Sequence, residues 1–227
     1  MAHPSDKYLK SIKPDLQKSV ADFCEVCRLC KSSAKPHFAK TTDELLAEKE
    51  TGRKKGVVHS DLMGQINIPS KSGYKWILTY MCEQTEYSYV YLLKSKSEQF
   101  ETFKNFKQEY ENTVPWKLRV LRTDNGLEYC NKDMKSFCAQ HGIQCGYCVP
   151  DTPEANGKIE RLNRTLLEKA RTILKTSKFS KGFWSAAILT ANYLRNRTAC
   201  RNLKFKTPFE AMFQREPKLD HIRVFGC

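Results

Sequence analysis

The alternation of apolar and polar positions predicts a folded region that begins at Val57, with strands first and longer helices later. Five apolar runs rich in β-branched and aromatic residues predict strands. They lie at 57–64, 74–82, 87–93, 117–126 and 143–149. The turn-forming TEYS segment at 85–88 predicts that the second and third strands pair in antiparallel fashion.

Apolar residues at helical spacing predict four helices, at 97–114, 131–142, 159–177 and 183–197. Pro115 is expected to end the first helix, and Gly142 to end the second. The resulting order, β-β-β-α-β-α-β-α-α, is that of the RNase H-like fold, an α/β fold with a mixed five-stranded sheet flanked by helices. Because this fold supports several chemistries, the order alone does not give a function.

The charge composition of the chain indicates which class of partner it binds. Lys and Arg outnumber Asp and Glu by 39 to 25, so the 227-residue chain has a net charge of +14, which favours a polyanion such as nucleic acid. A membrane surface is the alternative, but no long apolar run supports it. The polar first twenty residues do not resemble a signal peptide, so we expect a location in the nucleus and cytoplasm. The ten cysteines are then thiols or metal ligands rather than disulfides.

Three carboxylates are placed so that they can converge. Asp61 lies near the end of the first predicted strand, Asp124 lies at the end of the fourth, and Glu160 opens the long helix. In an RNase H-like sheet the first and fourth strands are neighbours. Clustered carboxylates repel each other unless divalent cations neutralise them, and hard oxygen ligands suit two Mg²⁺ or Mn²⁺ ions. The alternative is that they are ordinary surface and capping acids.

The long helix has two distinct faces. Five apolar residues share one face: Ile159, Leu162, Leu166, Ala170 and Ile173. Glu160, Arg164, Arg171 and Lys175 share another, which predicts a carboxylate beside a basic stripe that faces DNA. A solvated amphipathic helix would show the same pattern.

Several ordered motifs resemble those of copia-type retrotransposon integrases. HSDLMG (59–64) is similar to the first aspartate motif, RTDNGLEY (122–129) to the second, and TPEANGKIERLNRTLLEKAR (152–171) to the third. Thirty-five residues separate Asp124 from Glu160, as that family's pattern requires. FWSAAILTANYLRNR, TPFEAMF and RVFGC also resemble segments downstream of that family's catalytic core.

The resemblance implies a DDE polynucleotidyl transferase that joins element DNA 3′ ends to target DNA by two-metal-ion chemistry and works as a homo-oligomer. Asp61, Asp124 and Glu160 would be the catalytic metal ligands. Asn156 and Gly157 would belong to a mobile loop before Glu160. The expected DNA-binding residues are Asn156, Gly157, Lys158, Arg161, Arg164, Arg171 and Lys175.

Four departures from that family's pattern suggest a diverged chain: Gln65, Cys82-Glu83, Leu127 and Ala155. None of them removes an expected metal ligand. The alternative function is therefore a domesticated or truncated nucleic-acid-binding protein without integration activity. DNA binding without metal-dependent cleavage would favour this alternative.

The N-terminal cysteines resemble half of an integrase zinc module. His3, Cys24 and Cys27 match three of its four ligands, and structural zinc requires a fourth. Cys30 or His37 could supply it. Cys145 and Cys148 form a second CxxC, but they lie in a predicted strand where residues three apart face opposite sides, so they are interpreted as core and edge thiols.

The chain is accordingly divided into four regions. Residues 1–45 are expected to be a partial zinc-binding module, and 46–56 a charged linker. Residues 57–178 would form the RNase H-like catalytic core, and 179–227 the trailing helices at the end of the integrase region.

Overall fold

The computed structural model describes residues 55–123, 132–147 and 157–226. Its centre is a five-stranded sheet with the order β3-β2-β1-β4-β5. The strands are β1 (Val57–Met63), β2 (Trp76–Cys82), β3 (Ser88–Leu93), β4 (Val120–Thr123) and β5 (Gln144–Tyr147). All five strands predicted from the apolar runs are therefore present.

The sheet is mixed. β1 pairs with β2, and β2 with β3, in antiparallel fashion, whereas β4 runs parallel to both β1 and β5. The register places Asp61 opposite Thr79 on β2 and His59 opposite Arg122 on β4. The expected adjacency of the first and fourth strands is thus present, and together with the strand order it gives the RNase H-like topology.

Within the described ranges, five α-helices accompany the sheet: α1 (Gln99–Thr113), α2 (Lys132–Gln140), α3 (Gly157–Ser177), α4 (Trp184–Asn196) and α5 (Pro208–Phe213). Alternate residues of β2 face opposite layers. Leu78 and Tyr80 pack with α1 and α2, whereas Ile77 and Met81 pack with α3 and α4. β2 is therefore buried on both faces, which explains why it reads as a nearly continuous apolar run.

Three differences from the predictions concern α3, β4 and α5. α3 begins at Gly157, two residues before the predicted start, so Gly157 is the first helical residue and not part of the preceding loop. β4 begins at Val120, three residues after the predicted start, and the N–H groups of Arg119 and Val120 at this point both donate to the carbonyl of Gly56. α5 was not predicted as a helix. It begins with a capping box in which Thr207 Oγ1 accepts from the Glu210 N–H.

The described ranges contain no helix with the length and apolar character needed to cross a membrane.

Candidate active site

Asp61 occupies the part of β1 that lies beyond its described pairing with β4. That ladder runs from Val57 opposite Val120 to His59 opposite Arg122. β4 ends at Thr123, and Asp124 follows it in the sequence but lies outside the described residues. His59 and Asp61 are two residues apart on one strand, so their side chains leave the same face of the sheet, and that face packs against α3.

A buried asparagine of α3 holds the Asp61 side chain. Asn163 Nδ2 donates to Asp61 Oδ2 at 2.7 Å, and Thr79 Oγ1 donates to Asn163 Oδ1, also at 2.7 Å. The Thr79 hydroxyl also lies 3.3 Å from the Asp61 carbonyl oxygen. Asn163 is only 4% exposed, so this chain of hydrogen bonds lies largely out of water, where such bonds are stronger. It joins β1 and β2 directly to the first turns of α3.

Asn163 was not among the predicted site residues, although one signal could have indicated it. On a helical wheel it lies about 20° from Ala170, at the edge of the apolar face of the long helix. A polar residue in that position requires a buried partner. Its partners lie 84 and 102 residues away, at Thr79 and Asp61.

Glu160 lies in the first turn of α3, on its exposed side, three residues before Asn163. Arg161, Arg164, Arg171 and Lys175 are exposed on the same helix. The side chains of these five residues form no hydrogen bond or ion pair within the ranges that the structure describes. The predicted stripe of a carboxylate and accessible cations is therefore present on the surface, while the five apolar residues of the opposite face are all buried.

Lys158, another predicted DNA contact, has a partner within the protein. Its Nζ donates to Glu83 Oε1 at 2.9 Å, and the lysine side chain stays 36% exposed. Asn156, also predicted to contact DNA, lies outside the described residues. The DNA contacts of both residues remain predictions.

Glu83 is a largely buried carboxylate at the end of β2, with a side chain only 7% exposed. Besides Lys158, it accepts a hydrogen bond from Arg122 Nη1 at 3.0 Å, and His59 Nε2 lies 3.5 Å from its Oε2. Burial raises the pKa of Glu83, but the nearby His59 ring, the hydrogen bond from Lys158 and the charges of Lys158 and Arg122 outweigh it and hold this pKa well below its usual range. The Glu83 N–H donates to the Val57 carbonyl at 3.0 Å. The carboxylate is therefore ionised at neutral pH, and its contacts hold it in place.

Among the described residues, no three His, Cys, Asp or Glu side chains form a group that could hold a metal ion. The predicted group requires Asp124, which lies outside them, so the triad stays a prediction. Asp61 and Glu160 supply the hard carboxylate oxygens that Mg²⁺ or Mn²⁺ prefers, and the hydrogen bond from Asn163 orients one of them.

The predicted zinc ligands His3, Cys24 and Cys27 lie outside the described residues, as do the alternatives Cys30 and His37. Zinc binding therefore remains a prediction. Of the second CxxC, Cys145 is partly buried against the core beside α1 and α2, and Cys148 lies outside the described part.

Comparison with known proteins identifies the family. Residues 52–153 match the family model described as "Integrase core domain". The chain is 39% identical over 171 residues, 75% of its length, to the retrovirus-related Pol polyprotein from transposon TNT 1-94 of Nicotiana tabacum. It is 30% identical over its full length to the Pol polyprotein from transposon RE1 of Arabidopsis thaliana. The chain contains a retrotransposon integrase core. The resemblance predicted from the three motifs is thereby confirmed.

This integrase core spans 13% of the length of the TNT 1-94 polyprotein and 15% of that of RE1. Two solved structures share its fold. A simian T-cell lymphotropic virus intasome in complex with PP2A regulatory subunit B56 gamma aligns with a TM-score of 0.56 at 16% identity, over 74% of this chain and 56% of that one. The HTLV-2 integrase catalytic core domain in complex with magnesium aligns with a TM-score of 0.52 at 18% identity, over 69% and 95%. At these identities the likeness supports the RNase H-like fold alone.

Proposed function

We propose that this integrase core is a DDE-type polynucleotidyl transferase, in which Asp61, Asp124 and Glu160 hold two Mg²⁺ or Mn²⁺ ions and DNA is the substrate. One observation carries the proposal. Asn163 binds the Asp61 carboxylate at 2.7 Å and follows Glu160 by three residues, so the strand with one carboxylate is tied to the helix turn with another. Asp124 follows the last residue of β4, the parallel neighbour of β1.

When bound, a pair of divalent ions would activate the attacking oxygen and stabilise the leaving oxygen of a displacement at phosphorus. The chain's own residues position the groups. Asn163 fixes the rotation of the Asp61 carboxylate, and Thr79 fixes Asn163 in turn. Such supporting hydrogen bonds orient ligands and tune their affinity for metal.

The substrate proposal rests on charge. The net charge of +14 and the exposed Arg164, Arg171 and Lys175 beside Glu160 provide a surface for DNA phosphates. The magnesium and the trimeric form named for the HTLV-2 core, and the intasome of the simian virus, agree with a metal-dependent, oligomeric DNA transferase. An intracellular location and zinc binding by the N-terminal cysteines belong to the same proposal.

The decisive experiment measures nicking and strand transfer on double-stranded oligonucleotides with Mg²⁺ or Mn²⁺. Asp61→Asn, Asp124→Asn and Glu160→Gln should each lower the rate by about a hundredfold or more while the circular dichroism spectrum stays unchanged. Asp133→Asn, which changes an exposed acid in the first turn of α2, is the matched control and should keep full activity. Full activity in the Asp61 or Asp124 variant would refute the proposal.

DNA binding is tested separately by its salt dependence. Replacing Arg164 and Arg171 with Gln should reduce the slope of log K against log salt by about 2, because each phosphate contact contributes about 0.9. Lys132→Gln with Lys135→Gln, on exposed positions of α2, should leave the slope unchanged. If the unsubstituted chain binds DNA with a steep salt dependence but cleaves no DNA with either Mg²⁺ or Mn²⁺, it is a DNA-binding protein without integration activity.

A further inference from the structure

Glu83 contacts three elements of the site at once. Its partners are His59 on β1, Arg122 on β4 and Lys158 in the first turn of α3, and Glu83 itself follows β2. A single, largely buried carboxylate therefore joins four segments of the chain that are distant in sequence. Among the acidic side chains in the described part of the molecule, Glu83 alone lies within 4 Å of His, Lys or Arg side chains on three different elements.

The three partners have the same relation to the proposed metal ligands. His59 precedes Asp61 by two residues, Arg122 precedes Asp124 by two, and Lys158 precedes Glu160 by two. On β1, a spacing of two keeps both side chains on one face of the sheet. The contacts of Glu83 with His59 and Arg122 therefore hold β1 and β4 in place two residues before the proposed metal ligands of each segment.

The contact with Lys158 acts on the helix differently. Residues two apart in an α-helix point about 200° apart around its axis. With Lys158 directed at Glu83, Glu160 points to the other side of α3, where it is exposed. The ion pair thus constrains the rotation of α3 about its own axis, which decides where Glu160 projects.

The charges explain why this arrangement depends on Glu83. The side chains of Arg122 and Lys158 are 41% and 36% exposed, and both approach the same buried carboxylate. Without the negative charge, two cations on different elements would face each other with nothing to neutralise them. Removing one partner of a buried ion pair is costly for the same reason.

We propose that Glu83 is a positioning residue that sets the relative placement of β1, β4 and α3 and thereby the affinity of the site for divalent metal. This inference rests on the proposed function of the three carboxylates.

The test is Mn²⁺ binding, followed by electron paramagnetic resonance on the full chain without DNA. Glu83→Gln keeps the size of the side chain and removes its charge. It should raise the dissociation constant for Mn²⁺ about tenfold, as the loss of a supporting contact around a metal site typically does, and strand transfer should recover partly at high Mn²⁺. Glu101→Gln is the matched control, because Glu101 forms an exposed ion pair with Lys104 on α1. It should bind Mn²⁺ as tightly as the unsubstituted chain.

Lys158→Gln keeps the inference testable if Glu83→Gln does not fold. Lys158 is partly exposed, and its replacement should weaken Mn²⁺ binding about threefold, as one of three partners is lost. In the double variant the two effects should not add, because both remove the same contact. If Lys158→Gln weakens only DNA binding and leaves Mn²⁺ affinity unchanged, Lys158 is a DNA contact and the inference is overturned.

Asp61→Asn separates the two proposals. If it abolishes Mn²⁺ binding while Glu83→Gln leaves the dissociation constant unchanged, the carboxylate site stands and the role of Glu83 is refuted. If Asp61→Asn binds Mn²⁺ as well as the unsubstituted chain, the proposed metal site itself fails, and the inference about Glu83 fails with it.

Discussion

Replacing Asn163 with Ala should destabilise the protein and weaken the proposed site together. The change removes a hydrogen bond to the charged Asp61 side chain and one from Thr79, both at 2.7 Å and largely out of water. A hydrogen bond to a charged group contributes about 1.5–3 kcal/mol, and a neutral one about 0.5–1.5 kcal/mol. The expected loss in the free energy of unfolding is therefore about 2–4 kcal/mol, equivalent to roughly 5–15 °C in melting temperature for a protein of this size.

The assay is urea unfolding followed by circular dichroism, with strand transfer measured on the same preparations below the unfolding transition. Thr165→Ala is the matched control, since the exposed Thr165 hydroxyl donates only to the Arg161 carbonyl within the helix. The control should change stability by less than about 0.5 kcal/mol, as surface substitutions usually do. Activity of folded Asn163→Ala should fall about tenfold, as expected for a lost supporting contact. A loss of stability as small as the control's would refute the role assigned to this hydrogen-bond chain.

Three further predictions concern stability. Phe106→Ala should cost about 3–5 kcal/mol in urea unfolding, because the Phe106 ring stacks on buried Tyr80 with centroids 3.9 Å apart; a cost near 1 kcal/mol would contradict the packing. Asn196→Ala should cost about 2–4 kcal/mol, because Asn196 bonds the N–H, the carbonyl and the hydroxyl of Ser88 on the edge strand. Asn196→Asp should not restore this stability, because it removes the donor to the Ser88 carbonyl and buries a charge. The pKa of Glu83 is lower in the folded protein than in the unfolded chain, where it is about 4.3. Glu83 therefore stabilises the folded protein above about pH 4.3, and this contribution is lost as the pH falls towards the pKa of the folded state. The urea midpoint should therefore fall less steeply between pH 5 and pH 3 in Glu83→Gln, and parallel curves would contradict this.

The elements with a strong local pattern were predictable from the sequence. The aromatic positions Phe103, Phe106 and Tyr110 gave α1 to within a few residues, and all three are buried. The faces of α3 were also predicted, because a periodicity of 3.6 depends only on neighbouring positions. α5 was missed because its six residues are too few to display a periodicity, and its capping box was not recognised.

The contacts that organise the site were not predictable in the same way. Asn163 and Asp61 are 102 residues apart, and Lys158 and Glu83 are 75 apart. Which polar residues meet at such separations depends on the register of the sheet and on the docking of α3, and local propensity carries no information on either. From the sequence, Glu83 stands out only as part of Cys82-Glu83, one of the departures from the family's pattern. The proposed role of Glu83 depends on His59, Arg122 and Lys158, which three different elements bring around its carboxylate.

Two anchors on α3 explain why an exposed glutamate can still be well placed. Asn163 binds the sheet through Asp61 and Thr79, and Lys158 binds it through Glu83. The two residues are five positions apart, about 140° around the helix axis, so together they oppose both sliding and rotation of the first turns. Glu160 lies between them in sequence and forms no contact with a described residue that would hold it. The direction of its side chain is therefore set by the placement of the helix, which Lys158 and Asn163 hold. Variants at either anchor should weaken metal binding, although neither residue is a metal ligand in the proposed triad.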